Sequence, residues 1–143
     1  MALKSLLLDR FPAIGDFDAD GRLEAIFVGF ADGTRCYDTN SGTLEWKLNV
    51  AAGQDIRSAV SADLDGDGRD EAVFTLNRTL YCVGVGGDGK SGEVAWTVEL
   101  PTQIGDPVIA EVPCEQSGEG QIERGKCLSI LVSGRDGHIC CVH

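Results

Sequence analysis

A chain of 143 residues has the length of one ordinary domain and can bury a core without help from disulfides or metals. A formal charge of -11 and a pI near 4.4 exclude nucleic acid as a partner, because gripping phosphates takes clustered Lys and Arg. No apolar run nears the roughly 18–20 residues of a membrane-spanning helix, so no membrane insertion is expected; 19 glycines and 43% apolar residues describe a folded, turn-rich chain.

The chain opens on Ala2-Leu3-Lys4-Ser5-Leu6-Leu7-Leu8. Its apolar part is too short for a signal peptide and no small-residue cleavage site follows. Residues 1–9 are instead expected to act as a spare strand, completing the third, incomplete repeat unit of the same chain or adding to a neighbour.

The next stretch reveals a repeat. Residues 12–27 align without gaps on residues 59–74, at an offset of 47. Each copy holds an acidic cluster followed by a short apolar run: Ala25, Ile26, Phe27 and Val28 in the first, Ala72, Val73 and Phe74 in the second. A second shared block follows, in which Asp38, Ser41, Gly42, Leu44 and Trp46 match Asp88, Ser91, Gly92, Val94 and Trp96 at an offset of 50. The extra residues fall near the glycines at 84, 86, 87 and 89, where a loop lengthens at little entropic cost. A third copy is recognisable in Ile130, Leu131, Val132, Asp136 and Gly137, which match Ile26, Phe27, Val28, Asp32 and Gly33 at an offset of 104.

Between these landmarks the pattern is that of strands. Thr79 to Val83 is β-prone, Thr43 to Leu48 partly alternates around Trp46, and Asp-Gly at 32–33 and 136–137 separates strand-like runs as a hairpin turn would. Helix signals are absent. The expected fold is all-β: three four-stranded antiparallel blades of β-propeller type, forming an open array or part of a larger ring. Blade 1 spans about residues 12–50, blade 2 about 58–100 and blade 3 about 106–143, the last incomplete.

The acidic clusters carry the chemistry. In Asp63-Leu64-Asp65-Gly66-Asp67-Gly68-Arg69-Asp70-Glu71, carboxylates stand at positions 1, 3, 5 and 9 with glycine at 6. A tightly turning loop aims the side chains of Asp63, Asp65 and Asp67, the Arg69 carbonyl and the Glu71 carboxylate at one point, which supplies the oxygens that calcium prefers. Asp16, Asp18, Asp20, the Arg22 carbonyl and Glu24 repeat the arrangement, so two Ca2+ sites are expected. An EF-hand would need glutamate at position 12, where this chain has Phe27 and Phe74. A catalytic metal needs an open position beside an acid, base or nucleophile, and neither cluster contains His or Cys, so the expected role of the metal is structural.

At these residues the chain resembles the FG-GAP/VCBS repeats of integrin-type β-propellers, and the resemblance implies calcium in each loop. The block ending in Trp46 and Trp96 is similar to the tryptophan-docking segment of PQQ-type propeller repeats, which implies indoles packed between blades. The third copy departs from the calcium pattern: Glu111 stands near its first position, and Val112, Pro113 and Cys114 lead into an insertion. No calcium is expected there, and a Cys114–Cys127 disulfide would close the insertion. Cys36, Cys82 and Cys140 fall at one place in the repeat and read as buried thiols; Trp46 and Trp96 read as packing residues.

The resulting expectation is a non-catalytic calcium-binding module for adhesion, protein binding or assembly, at the cell surface or outside the cell. Its partner would be another protein, or a second copy joined through exposed blade edges. Two other readings stand beside it: a fragment of a larger propeller enzyme, such as a polysaccharide lyase or quinone-dependent dehydrogenase, and a self-assembling subunit of an extracellular filament.

Overall fold

The computed structural model describes residues 11–118 and 121–142, and the side chains of all of these outside 114–125. It is all-β, with eleven strands in three antiparallel sheets among the described residues. The first sheet is a meander of β1 (Ala13–Gly15), β2 (Glu24–Phe30), β3 (Gly33–Asp38) and β4 (Leu44–Leu48). The second repeats it with β5 (Val60–Ala62), β6 (Glu71–Leu76), β7 (Thr79–Val85) and β8 (Gly92–Glu99). The third orders β9 (Val108–Gly118), β10 (Gln121–Ser133) and β11 (Ile139–Val142) as β11-β10-β9.

The expected four strands are therefore found in two sheets, while the third has three among the described residues. The segment expected to complete it, residues 1–9, lies outside them. Where the first two sheets have an acidic loop between their first and second strands, the third has continuous pairing from Val108 opposite Leu131 to Gly118 opposite Gln121. The insertion has extended the ladder, so the carboxylates of a cation loop have no turn to converge in. Cys127 is disulfide-bonded. The strand register sets it opposite Val112, and Cys114 opposite Gly125; the Cys114 side chain, its expected partner, lies outside the described residues.

Apolar runs become strands with both faces covered. In β6, Ala72 and Phe74 point into a core shared with the first sheet, while Val73 between them points into a second core shared with the third. In β7, Val83 joins the first core, and Leu80 and Cys82 join the second. Period-two geometry thus explains why the central sheet needs an unbroken apolar run and an edge strand does not. β4 alternates, burying Trp46 and half-burying Leu48 while Leu44, Glu45 and Lys47 face solvent.

The third sheet meets the second through an unexpected face. The first two sheets meet through Ile26 and Val28 on one side and Phe74, the counterpart of Phe27, on the other. Repeat order would then have Leu131, aligned with Phe27 and Phe74, meet Val73. Ile130 and Val132 do so instead, with Cys140 and Val142 beside them. The composition of β10 accounts for this: Ser129, Leu131 and Ser133 share one face, and the wholly apolar face takes the core.

Turn chemistry sets the spacing of the strands. Gly33, after the Asp32 turn, has a φ of 114°, and a Cβ there would lie within 2.2 Å of the Leu48 carbonyl oxygen. In the block before each tryptophan strand, one aspartate receives two amides: Asn40 and Ser41 donate to Asp38 at 2.8 and 2.7 Å, and Lys90 and Ser91 donate to Asp88 at 2.9 and 2.8 Å. The Asp-x-x-Ser-Gly spacing is therefore an Asx turn made twice.

Candidate metal centre

Each acidic loop joins the first strand of its sheet, at one edge, to the next one. The first runs from β1 to β2 and the second from β5 to β6. Left-handed residues give each loop its curl: Ala19 and Gly21 in the first, with φ of 62° and 84°, and Gly66 and Gly68 in the second, with 79° and 90°.

The curl turns loop amides onto the position-1 carboxylate. Asp20 and Gly21 donate to the two oxygens of Asp16 at 3.0 and 2.9 Å. Gly66 and Gly68 donate to those of Asp63 at 2.7 and 3.0 Å. At position 3, Asp18 accepts from Asp20 N–H at 3.1 Å and Asp65 from Asp67 N–H at 3.0 Å. Position 9 reaches back to residue 2 of its loop, with Glu24 accepting from Phe17 N–H and Glu71 from Leu64 N–H, both at 2.9 Å. The two loops thus share a bonding scheme that fixes the carboxylates in place, differing in one donor to position 1, which is residue 5 (Asp20) in the first loop and residue 4 (Gly66) in the second.

Three carboxylates converge in each loop. Oxygens of Asp16, Asp18 and Glu24 lie within 4.8 Å of one another, as do those of Asp63, Asp65 and Glu71. Asp20 is outside the converged set: its carboxylate is forked by Arg22, at 2.9 Å to Nε and 2.5 Å to the terminal nitrogen, and it accepts from Arg22 N–H at 2.8 Å. Asp67 is outside it as well and accepts from Arg69 N–H at 2.8 Å. The Arg22 side chain is exposed; that of Arg69 lines a groove of about 550 Å³ between the second and third sheets, with Asp65, Asp67, Glu71 and Trp96.

The electrostatics of the converged groups ask for positive charge. Glu24 is 1% exposed, and among the described residues no ion pair reaches it, Asp16, Asp18 or any member of the second triad. Burial first, then repulsion from Asp18 and Asp20, raises the Glu24 carboxyl to about 7. Burial and Asp65, Asp67 and Asp63 raise Glu71 to about 7 as well. The donor set, hard carboxylate oxygens without nitrogen or sulfur, fits a hard divalent cation. Beneath the loops, Cys36 and Cys82 are fully buried thiols; burial is the main cause that pushes Cys82 up to about 12. Cys36 donates to Glu45 at 3.7 Å.

The sequence did not single out Asp70 as part of this centre, since it stands at position 8, between ligands. Its carboxylate accepts from Asp16 N–H and its own N–H donates to the Asp16 carbonyl, both at 3.0 Å. Ser61 Oγ donates to the Ile14 carbonyl at 2.7 Å just ahead of this contact. The only signal in the sequence is the mismatch of Asp70 with Leu23 at the aligned position.

The model of the FG-GAP-like repeat family matches residues 16–74, a span that begins at the first carboxylate of the first loop and ends beyond the last carboxylate of the second. Neither the curated proteins nor the solved structures yield a match.

Proposed function

We propose that the chain is a non-catalytic, calcium-binding module of β-propeller type that serves adhesion, protein binding or extracellular assembly. The observation that carries this reading is the pair of carboxylate triads, held by matching hydrogen bonds at positions 3, 6 and 9 in two loops 47 residues apart and without an ion-paired base among the described residues. Asp16, Asp18 and Glu24 would hold one cation, and Asp63, Asp65 and Glu71 the other. The cation supplies charge that cancels repulsion within each triad and pins the entry to β2 and β6. Calcium suits such a loop better than magnesium, which demands strict octahedral geometry and gives up its waters reluctantly.

Titration calorimetry tests the claim. Two equivalents of calcium are expected, with dissociation constants no weaker than about 1 mM, the range of extracellular modules. Absence of heat at millimolar calcium removes the metal and the function built on it. Light scattering with and without calcium then separates a module that binds a different protein, whose mass stays that of one chain, from one that assembles with itself.

A further inference from the structure

The two acidic loops touch. Both polar groups of the Asp16 peptide are satisfied by one residue of the other loop: its N–H by the Asp70 carboxylate and its carbonyl by the Asp70 N–H, each at 3.0 Å. The joint has no slack, because a Cβ on Gly15 would lie 2.4 Å from the Asp70 carboxylate oxygen. The Ser61–Ile14 hydrogen bond adds a second tether between the same two sheets.

The location of this joint matters. Asp16 provides the first carboxylate of the first triad, and Asp70 is bonded in sequence to Glu71, the last carboxylate of the second. A cation that draws Glu71 and Asp65 together fixes the backbone at position 70, and position 70 fixes the peptide of Asp16. Leu23 fills the aligned place in the first loop and has no carboxylate to offer, so the contact exists once, from the second loop to the first.

We propose that Asp70 is a positioning residue that couples the loops, so that calcium in one raises the affinity of the other. The inference rests on the calcium reading above and adds cooperativity to it. A coupling of this kind is reciprocal and amounts to about fivefold or more when it is real.

The test compares the overall two-calcium binding constant of the wild type with the product of the single-site constants from Asp63→Asn, which leaves the first loop, and Asp18→Asn, which leaves the second. The expected ratio is at least about five. Repeating the set with Asp70→Ala should bring it to about one, and with Asp70→Asn, whose amide oxygen can still accept from Asp16, should largely restore it. If Asp70→Ala does not fold, hydrogen exchange at the Asp16 amide replaces it: in Asp18→Asn, filling the second loop should slow that exchange severalfold. A ratio near one in the wild type, a ratio that survives Asp70→Ala, or unchanged exchange at Asp16 overturns the coupling while two calcium sites stand. A wild type that takes up no calcium overturns the reading of the loops, and the coupling with it.

Discussion

Glu24 and Glu71 show how one side chain can work for and against the fold. Each protonates near pH 7 in the folded chain, against an ordinary value of 4.5. Between those values the folded state holds protons that the unfolded state has released, so without a cation stability falls as pH rises through the window. In EDTA the melting temperature should therefore drop by several degrees from pH 5 to pH 8, and excess calcium should abolish the drop; calorimetric scans at the two pH values check both. Glu24→Gln should have two opposite effects: a higher melting temperature at pH 8 in EDTA, and loss of at least tenfold in calcium affinity at the first loop. Ala19 makes a quieter case. It takes the left-handed conformation that Gly66 takes in the second loop, at a cost only glycine escapes. Ala19→Gly should stabilise by about 0.5–1 kcal/mol and Gly66→Ala cost a similar amount in urea unfolding.

At the scale of elements, the repeat was legible and the packing of its third copy was not. Trp46 and Trp96 occupy one place in the repeat, and sequence treats them alike. In the structure, Trp46 is buried with its ring against Gly92, where a Cβ would come within 2.3 Å of it, while Trp96 is half-buried and lines the groove beside the third sheet. Trp46→Ala should accordingly cost about 3–5 kcal/mol in denaturant unfolding, and Trp96→Ala less than half as much. The Asp-Gly hairpin turns, the shared block at Asp38 and Asp88 and the two acidic loops could be read because each is a local bargain among neighbours in sequence. The face chosen by β10 depended on which side of the strand is apolar and on what lay opposite, which a repeat alignment does not weigh. Asp70 escaped for a similar reason: its role is a contact over 54 positions. Asp20 and Asp67 stand at the ligand spacing, and what the spacing does not show is that Asp20 is also forked by the Arg22 side chain while Asp67 accepts only the Arg69 backbone N–H among the described residues.

For the whole molecule, the second sheet is the keystone, since among the described residues it alone of the three contributes side chains to both cores. Its amides at Val73, Phe74, Cys82 and Val83 should be the slowest to exchange in native-state hydrogen exchange, opening only with global unfolding. Those of β11, at one edge of the third sheet, should exchange orders of magnitude faster. A uniform exchange rate across the three sheets would contradict this order.

The same central position has a consequence for synthesis. Every sheet joins strands that are neighbours in the chain, so each can form as it leaves the ribosome. The first core closes once β8 has emerged, but the outer face of the second sheet, with Val73, Leu80 and Cys82, must wait for β9 to β11. At roughly 5–20 residues per second that wait lasts a few seconds. During it the nascent protein carries an uncovered apolar face, and this interval is when a chaperone, or a neighbouring chain on the same message, would meet it.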